Sequence, residues 1–147
     1  MVPDLRQQTT LEELNRWTQG NLMARLGIQF VEVGPDYLVA EMPVTPDHHQ
    51  TFGILHGGAS VTLAESVGSI GANMLLDRTR HAAVGLEINA NHLKSVRSGV
   101  VRATARVVHA GRTTQVWAIE LRDEAGHLTC ICRHTLAVIA RAGVEKA

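Results

Sequence analysis

A single carboxylate stands in a long apolar segment of this 147-residue chain, where Glu65 lies among Ala, Leu and Val residues. A buried carboxylate costs stability unless it is hydrogen-bonded, paired or protonated, and enzymes use such groups as general bases or nucleophiles. Gly68 and Ser69 follow on the same helical face, leaving space above the carboxylate and a hydroxyl within its reach. The alternative is that Glu65 faces solvent or pairs with an arginine such as Arg25 or Arg133. The small neighbours favour the catalytic role.

Gly57 and Gly58 open the same apolar segment and could bind developing negative charge. The first N–H groups of a helix have no partner within it, and glycine lets a ligand approach the backbone closely. Such a helix start can serve as an oxyanion hole, although a bare Gly-Gly pair is by itself more typical of helix entry. Gly57 and Glu65 lie about 12 Å apart along a helix axis, too far to act on one carbonyl. We therefore predict that a shared site combines Gly57 of one chain with Glu65 of another.

Three histidines, His48, His49 and His56, crowd the loop before these glycines together with Gln50. No carboxylate or cysteine stands at a ligand spacing beside them, so the sequence indicates no metal site. We expect His56 to shape the loop or to polarise a carbonyl through a hydrogen bond.

The composition describes one ordinary domain spanning residues 1–147, with a core over about 10–140. Hydrophobic residues make up 45% of the chain and 14 basic residues balance 14 acidic ones, which excludes disorder and a long-range field for nucleic acid or a membrane surface. No apolar run reaches the roughly 18 residues of a spanning helix, and residues 1–8 lack the apolar core of a secretory signal, so we expect a cytoplasmic protein. Cys130 and Cys132 are spaced unlike a C-x-x-C pair, and we expect both to be small core residues.

The elements that must position these groups follow from the hydrophobic period. Thr10 and Glu13 form a capping box that predicts a helix ending near Trp17. Apolar residues at positions 63, 67, 70 and 74 predict a second, long helix from about Gly57 to about Leu76. Alternating or β-branched runs bounded by turn residues predict strands over 28–33, 37–44, 82–93, 100–110, 113–121 and 128–140. This order predicts an α+β domain in which an antiparallel sheet wraps around one central helix.

Two features of the strands suggest a ligand. Residues 89–92, Asn-Ala-Asn-His, are unusually polar for a central strand, which indicates that one face meets a ligand or a partner chain. Residues 77–112 hold two acidic and seven basic side chains, of which Lys94, Arg97 and Arg112 fall near strand ends and could meet phosphates. A solvated sheet face is the simpler interpretation of that excess.

Two segments resemble the signatures of the hotdog-fold thioesterases. They are residues 50–69, Gln-Thr-Phe-Gly-Ile-Leu-His-Gly-Gly-Ala-Ser-Val-Thr-Leu-Ala-Glu-Ser-Val-Gly-Ser, and residues 84–92, Val-Gly-Leu-Glu-Ile-Asn-Ala-Asn-His. Within that family they are similar to 1,4-dihydroxy-2-naphthoyl-CoA hydrolases, Arthrobacter-type 4-hydroxybenzoyl-CoA thioesterases and enterobactin-pathway proofreading thioesterases. The similarity runs from about Thr10 to Ile139. Thr51 departs from the pattern, since relatives often have proline there, and this bears on loop rigidity rather than on chemistry.

The resemblance implies a role for each matching position. Glu65 matches the carboxylate that attacks the thioester carbonyl or activates water, and Gly57 matches the backbone N–H that polarises the carbonyl oxygen. Gln50 and His56 match side chains that hold the thioester, and Ser69 matches the hydroxyl near the attacking group. The positions implied for coenzyme A contacts are Gly85, His92, Leu93, Lys94, Ser95, His109, Ala110, Gly111, Arg112, Thr113 and Thr114.

The implied activity is hydrolysis of an acyl-CoA thioester, with aromatic acyl groups favoured, to a carboxylic acid and free coenzyme A. Coenzyme A is then part of substrate and product, and no metal, other cofactor, nucleic acid or membrane partner is expected. The family forms homodimers, usually paired into tetramers, with each site between two chains. The alternatives are a proofreading thioesterase acting on an aryl or acyl carrier protein, a non-catalytic acyl-CoA-binding module, and a hydratase or dehydratase. The binding module would need no carboxylate at position 65 and would carry a DNA-binding segment, which this sequence lacks.

Overall fold

One long helix packs against a six-stranded antiparallel sheet in the computed structural model, which describes residues 2–141. This confirms the predicted α+β architecture. The helices are α1 (Leu11–Trp17), α2 (Leu22–Arg25) and α3 (Gly57–Met74). The strands are β1 (Gln29–Val33), β2 (Tyr37–Val44), β3 (His81–His92), β4 (Gly99–Ala110), β5 (Thr114–Asp123) and β6 (Leu128–Ala140). The histidine-containing loop before α3 includes a 3-10 turn, Pro46–His48.

The strands follow the order β1-β2-β4-β5-β6-β3, so β3 lies at an edge of the sheet. The expectation that the polar residues 89–92 belong to a central strand is therefore wrong. Their polarity fits a strand that pairs with β6 on one side and has no neighbouring strand in the described chain on the other. The β3–β6 pairing is interrupted by a register shift between Gly85 and Glu87, and it is regular from Glu87 to His92.

The core lies between α3 and the inner face of the sheet. Every second residue of the central strands points inward, as the period of a strand requires. The buried residues of β4, β5 and β6 include Val101, Ala103, Ala105, Trp117, Ile119, Leu121, Cys130, Cys132, His134 and Leu136. Both cysteines are buried and free, with their sulfurs 3.7 Å apart, which confirms that they are core residues.

The two short helices are tied to the rest of the molecule by side-chain caps. The Thr10 hydroxyl accepts a hydrogen bond from the N–H of Glu13 at 3.2 Å, which confirms the predicted start of α1. Asn15 of α1 exchanges two hydrogen bonds with the backbone of Phe30 in β1, at 2.8 and 2.9 Å. Asn21 caps α2 by accepting from the N–H of Met23 at 3.0 Å. Asn15 thus ties α1 to the sheet, and the Asn21 cap fixes the start of α2.

Across residues 2–141, no helix combines the length and the apolar character needed to cross a membrane.

Candidate active site

Glu65 is exposed and lies on the strip of α3 that faces α2, which is formed by Thr62, Glu65, Ser66 and Ser69. It lines a cavity of about 430 Å³ whose other walls are Leu22, Met23, Thr62, Ser66, Ser69 and Ile70. The expectation of a buried carboxylate is wrong for the single chain, where Glu65 is exposed: the sheet covers the other faces of α3, whereas this strip faces the short α2 across the cavity. No basic side chain in residues 2–141 forms an ion pair with Glu65, so neither Arg25 nor Arg133 neutralises it. The carboxylate is available for chemistry.

Gly85 of β3 allows the sheet to approach this carboxylate closely. A Cβ atom at position 85 would lie 3.3 Å from Oε1 of Glu65 and 2.9 Å from Cε1 of His134, tighter than side chains normally pack. Asn73 fixes β3 against α3 two residues earlier, since its amide exchanges hydrogen bonds with the backbone of Ala83 at 2.9 and 3.0 Å. The structure thus places Gly85 beside the candidate catalytic group.

Ser69 shares the cavity of Glu65 and forms a hydrogen bond with His134. The Ser69 Oγ lies 3.1 Å from Nε2 of His134, and Nδ1 of that ring lies 3.0 Å from the carbonyl oxygen of Glu87. His134 is fully buried on β6. Our sequence reasoning missed His134. The available signal was one polar residue at a position where Cys130 and Cys132 fix the inward face of the same strand.

A second cavity, of about 320 Å³, lies at the N-terminal end of α3. Its lining includes six of the residues expected to hold the thioester and the coenzyme, namely Gln50, Gly57, His92, Leu93, Lys94 and Ser95. The His92 ring packs over the helix start, where a Cβ on Gly57 would lie 2.9 Å from Nε2 of His92. Glycine at this position therefore lets the ring close over the backbone.

His56 and Gln50 organise the entry to α3. His56 is the N-cap, and its Nδ1 accepts from the N–H of Gly58 at 2.8 Å. The N–H of Gly57 has no acceptor within residues 2–141, so it remains available to a ligand oxygen. The Oε1 of Gln50 accepts from the N–H of Phe52, which leaves its amide N–H groups without an acceptor in the same part of the chain. The structure places free hydrogen-bond donors at this cavity.

The coenzyme A contacts expected from residues 109–114 lie away from both of these cavities. The turn between β4 and β5, residues 109–114, contributes Ala110 and Gly111 to a cavity beside Leu75 and Leu76, at the C-terminal end of α3. Within one chain the structure therefore does not bring together the Glu65 cavity, the Gln50 cavity and this turn. That separation agrees with the distance estimated between Gly57 and Glu65 along the helix.

Ion pairs neutralise much of the basic excess in residues 77–112. Lys94 contacts Asp123 at 2.9 Å, and the remaining pairs join Arg78 to Glu13, Arg102 to Glu41 and Arg106 to Asp36. The hydrogen bond from Lys94 holds the pKa of the Asp123 carboxyl well below its usual range, with further hydrogen bonds from His127 acting in the same direction. Arg97 is engaged by the carbonyl of Gly53 at 3.4 Å rather than by a carboxylate.

The histidines of the loop make structural hydrogen bonds. His48 is buried and contacts Thr45 and the carbonyl of Leu26, and His49 contacts the carbonyl of Arg97 at 2.8 Å. Between residues 2 and 141, no three His, Cys, Asp or Glu side chains form a group that could hold a metal ion.

One long helix packed against a six-stranded antiparallel sheet is the architecture of a hotdog-fold protein. Comparison with known proteins identifies the family. Residues 52–130 match the Thioesterase superfamily. The 1,4-dihydroxy-2-naphthoyl-CoA hydrolase of Escherichia coli K12 is 48% identical over 134 residues, which are 91% of this chain and 98% of that protein.

Solved structures agree with this assignment. A crystal structure of a mutant of thioesterase PA1618 from Pseudomonas aeruginosa has a TM-score of 0.90 and 47% identity, covering 92% of this chain and 98% of that one. Thioesterase HI1161 from Haemophilus influenzae has a TM-score of 0.88 and 43% identity, with 94% and 96% covered. The chain belongs to the Thioesterase superfamily, and it is an enzyme of the thioester-hydrolase class.

Proposed function

We propose that this enzyme hydrolyses acyl-CoA thioesters, with aromatic acyl groups preferred, and that Glu65 is its catalytic carboxylate. The observation that carries the proposal is the position of Glu65 without a basic partner in residues 2–141, against Gly85 and over a cavity of apolar and hydroxyl side chains. The similarity to a 1,4-dihydroxy-2-naphthoyl-CoA hydrolase supports both the coenzyme and the aromatic acyl group.

The reaction needs one group that attacks the thioester carbonyl and another that stabilises the oxyanion. Glu65 either removes a proton from water as the water oxygen attacks, or attacks directly to form an anhydride that water then hydrolyses. The negative charge that develops on the carbonyl oxygen is stabilised by the free N–H of Gly57 at the helix N-terminus. The C–S bond then breaks, and coenzyme A leaves as the thiolate, which takes up a proton.

The two cavities become one site if two chains associate through β3. This strand is a long edge without a neighbouring strand in the described chain, and such edges pair readily with another copy. Gly85, beside Glu65, precedes the regular half of β3, and His92, over Gly57, ends it. Antiparallel pairing of Glu87–His92 with its own copy puts Glu87 next to the partner subunit's His92. Glu65 of one chain then lies close to the helix start of the other.

In that dimer, the coenzyme is held by residues around the Gln50 cavity and by the β4–β5 turn. Residues 92–95 line the cavity that also contains the free donors of Gln50 and Gly57. Lys94 can meet a phosphate only by sharing or leaving Asp123, because the two are in contact at 2.9 Å. Arg97 and Arg112, which make no ion pair in residues 2–141, supply further positive charge.

The test is thiol release from a panel of CoA thioesters, with aromatic, short alkyl and long alkyl acyl groups. We expect benzoyl-type substrates to turn over fastest, and Glu65→Ala to lower kcat by about 100-fold or more on all of them. Glu120→Ala is the matched control, since Glu120 is an exposed glutamate of β5 whose carboxylate bonds only to Arg122 within residues 2–141. Normal turnover by a folded Glu65→Ala variant would refute the proposed role of Glu65.

A parallel arm presents the same acyl group on an aryl carrier protein. If the acyl-CoA substrate has the higher kcat/KM, free coenzyme A thioesters are the substrate class. A higher value for the carrier-bound substrate would instead assign the enzyme to carrier-protein proofreading.

A further inference from the structure

We propose that His134 is a positioning residue that fixes the Ser69 hydroxyl as a hydrogen-bond acceptor facing the Glu65 cavity. The inference rests on the proposed function, because it assigns Ser69 a task in the hydrolysis that Glu65 performs. His134 lies on β6, 65 positions after Ser69 in the chain.

The hydrogen-bond roles follow from the chemistry of the two partners of the ring. The carbonyl oxygen of Glu87, 3.0 Å from Nδ1 of His134, can only accept, so Nδ1 carries the proton. A neutral imidazole has one N–H, and its Nε2 must then accept. The Ser69 hydroxyl, 3.1 Å from Nε2, therefore donates its proton to the ring.

The ring has no freedom to change these roles by rotating. His134 is fully buried, and its edges contact two glycine positions on facing elements. A Cβ at Gly68 would lie 3.3 Å from Cδ2, and a Cβ at Gly85 would lie 2.9 Å from Cε1. Both glycines leave the space that the ring fills, and two hydrogen bonds at opposite ends of the ring set its orientation.

This arrangement determines what Ser69 presents to the substrate. Since its only proton is committed to His134, its oxygen lone pairs can accept a hydrogen bond from a water in the cavity. Such a water can donate one hydrogen bond to Ser69 and the other to Glu65. With both hydrogens engaged, a lone pair of the water oxygen points away from the two side chains, toward a bound carbonyl. The structure thus favours Glu65 as a base acting on an oriented water, because Ser69 has no proton left to donate to the carboxylate.

The test compares two substitutions that each keep one half of the imidazole's bonding. In His134→Asn the amide reaches the position of Nδ1, so a donor to Glu87 is kept and the acceptor for Ser69 is lost. In His134→Gln the amide oxygen reaches the position of Nε2 and can still accept from Ser69. Both are assayed at neutral pH in wild-type and Ser69→Ala backgrounds, with thermal unfolding and circular dichroism as measures of folding.

We expect kcat of His134→Gln to exceed that of His134→Asn by about 10-fold, with KM differing less than about twofold. In the Ser69→Ala background the difference should disappear, because a residue that acts only through Ser69 has nothing left to position. Equal kcat values for the two variants, or a difference that persists without Ser69, would overturn the proposal.

Peptide-mapping mass spectrometry after rapid acid quenching of the wild type supplies an independent arm, because it locates any bound acyl group. An acyl group found on Ser69 would make Ser69 the nucleophile and His134 its base, which also overturns the proposal. Failure of the proposed function looks different. In that case the wild type releases no thiol, or Glu65→Ala releases it normally, before any His134 variant is compared.

Discussion

Glycine at position 85 determines how closely the Glu65 carboxylate and the His134 ring can approach the backbone of β3. These two groups occupy the space next to Gly85 that a side chain would need. A Cβ at this position would lie 3.3 Å from Oε1 of Glu65 and 2.9 Å from Cε1 of His134. The carboxylate is flexible and can move aside, whereas the ring is buried and held by two hydrogen bonds. A side chain at this position must therefore displace the carboxylate first.

Gly85→Ala is expected to lower kcat by about 10- to 100-fold while changing KM little, because a shift of about 1 Å in a catalytic group has effects of this size. Steady-state thiol release on the preferred CoA substrate measures both constants. Val84→Ala is the matched control, since Val84 is exposed on the neighbouring position of the same strand. Wild-type kcat in Gly85→Ala would mean that the close approach of the strand is not needed for catalysis.

For individual residues, the sequence predicts contacts between near neighbours in the chain well and contacts between distant residues poorly. Glu65 and Ser69 are four residues apart on a helix, so their common cavity follows from helical spacing. Ser69 and His134 meet only because α3 and β6 pack together, and no local pattern contains that contact. The exposure of Glu65 also depends on packing, since it reflects how little of α3 is covered by the short helix α2.

The helix α3 is fitted to the sheet by a second glycine. Gly71 faces the fully buried ring of Trp117, and a Cβ there would lie 2.7 Å from Cη2 and 2.8 Å from Cζ3. The indole cannot withdraw easily, because its N–H donates to Gln115, whose amide donates in turn to the carbonyl of Ala72 at 3.1 Å. Helix and sheet are thus joined by a buried polar chain beside a close backbone contact.

Gly71→Ala is expected to destabilise the protein even though alanine is the better helix former by about 1 kcal/mol. Overpacking costs about 1–3 kcal/mol, and contacts this close to a rigid buried ring belong at the upper end of that range. The net loss of about 1–2 kcal/mol should lower Tm by roughly 3–8 °C. Thermal unfolding followed by circular dichroism gives the value. Ser66→Ala, on the open strip of the same helix, should leave Tm unchanged or slightly higher, and a rise of Tm in Gly71→Ala would contradict the steric argument.

At the scale of elements the sequence predicts the helices and strands nearly completely. The capping residue Thr10 and the turn residues between strands mark the boundaries by local chemistry, and the structure has helices and strands at those places. The order of strands in the sheet is a different matter. Because β3 pairs with β6, which is distant in sequence, its edge position does not follow from its own residues alone. From the sequence alone we expect a central strand, and we interpret its polarity as a sign that one face meets a ligand or a partner chain.

For the whole molecule, zero net charge is compatible with a charged ligand. Four of the seven basic residues in 77–112 are neutralised within the chain, which removes most of the apparent basic patch. The proposed site is divided between two cavities on one chain, one containing the Glu65 carboxylate and the other containing the free N–H donors. A second copy of the chain would supply each cavity with what it lacks.

Mixing two variants with defects in different cavities tests whether the working site spans two chains. Glu65→Ala lacks the carboxylate and Gln50→Ala lacks a side chain of the other cavity, so each homodimer has a defect in every site. In a mixed dimer with sites between chains, one site draws Glu65 and Gln50 from the two intact copies, while the other site has neither. Random reassociation from an equimolar, unfolded and refolded mixture should therefore restore about a quarter of wild-type thiol release, since half of the dimers are mixed and half of their sites are intact.

If both residues acted within one chain, every site in the mixture would keep one defect, and activity would stay at the average of the two variants. Wild type carried through the same refolding gives the reference activity.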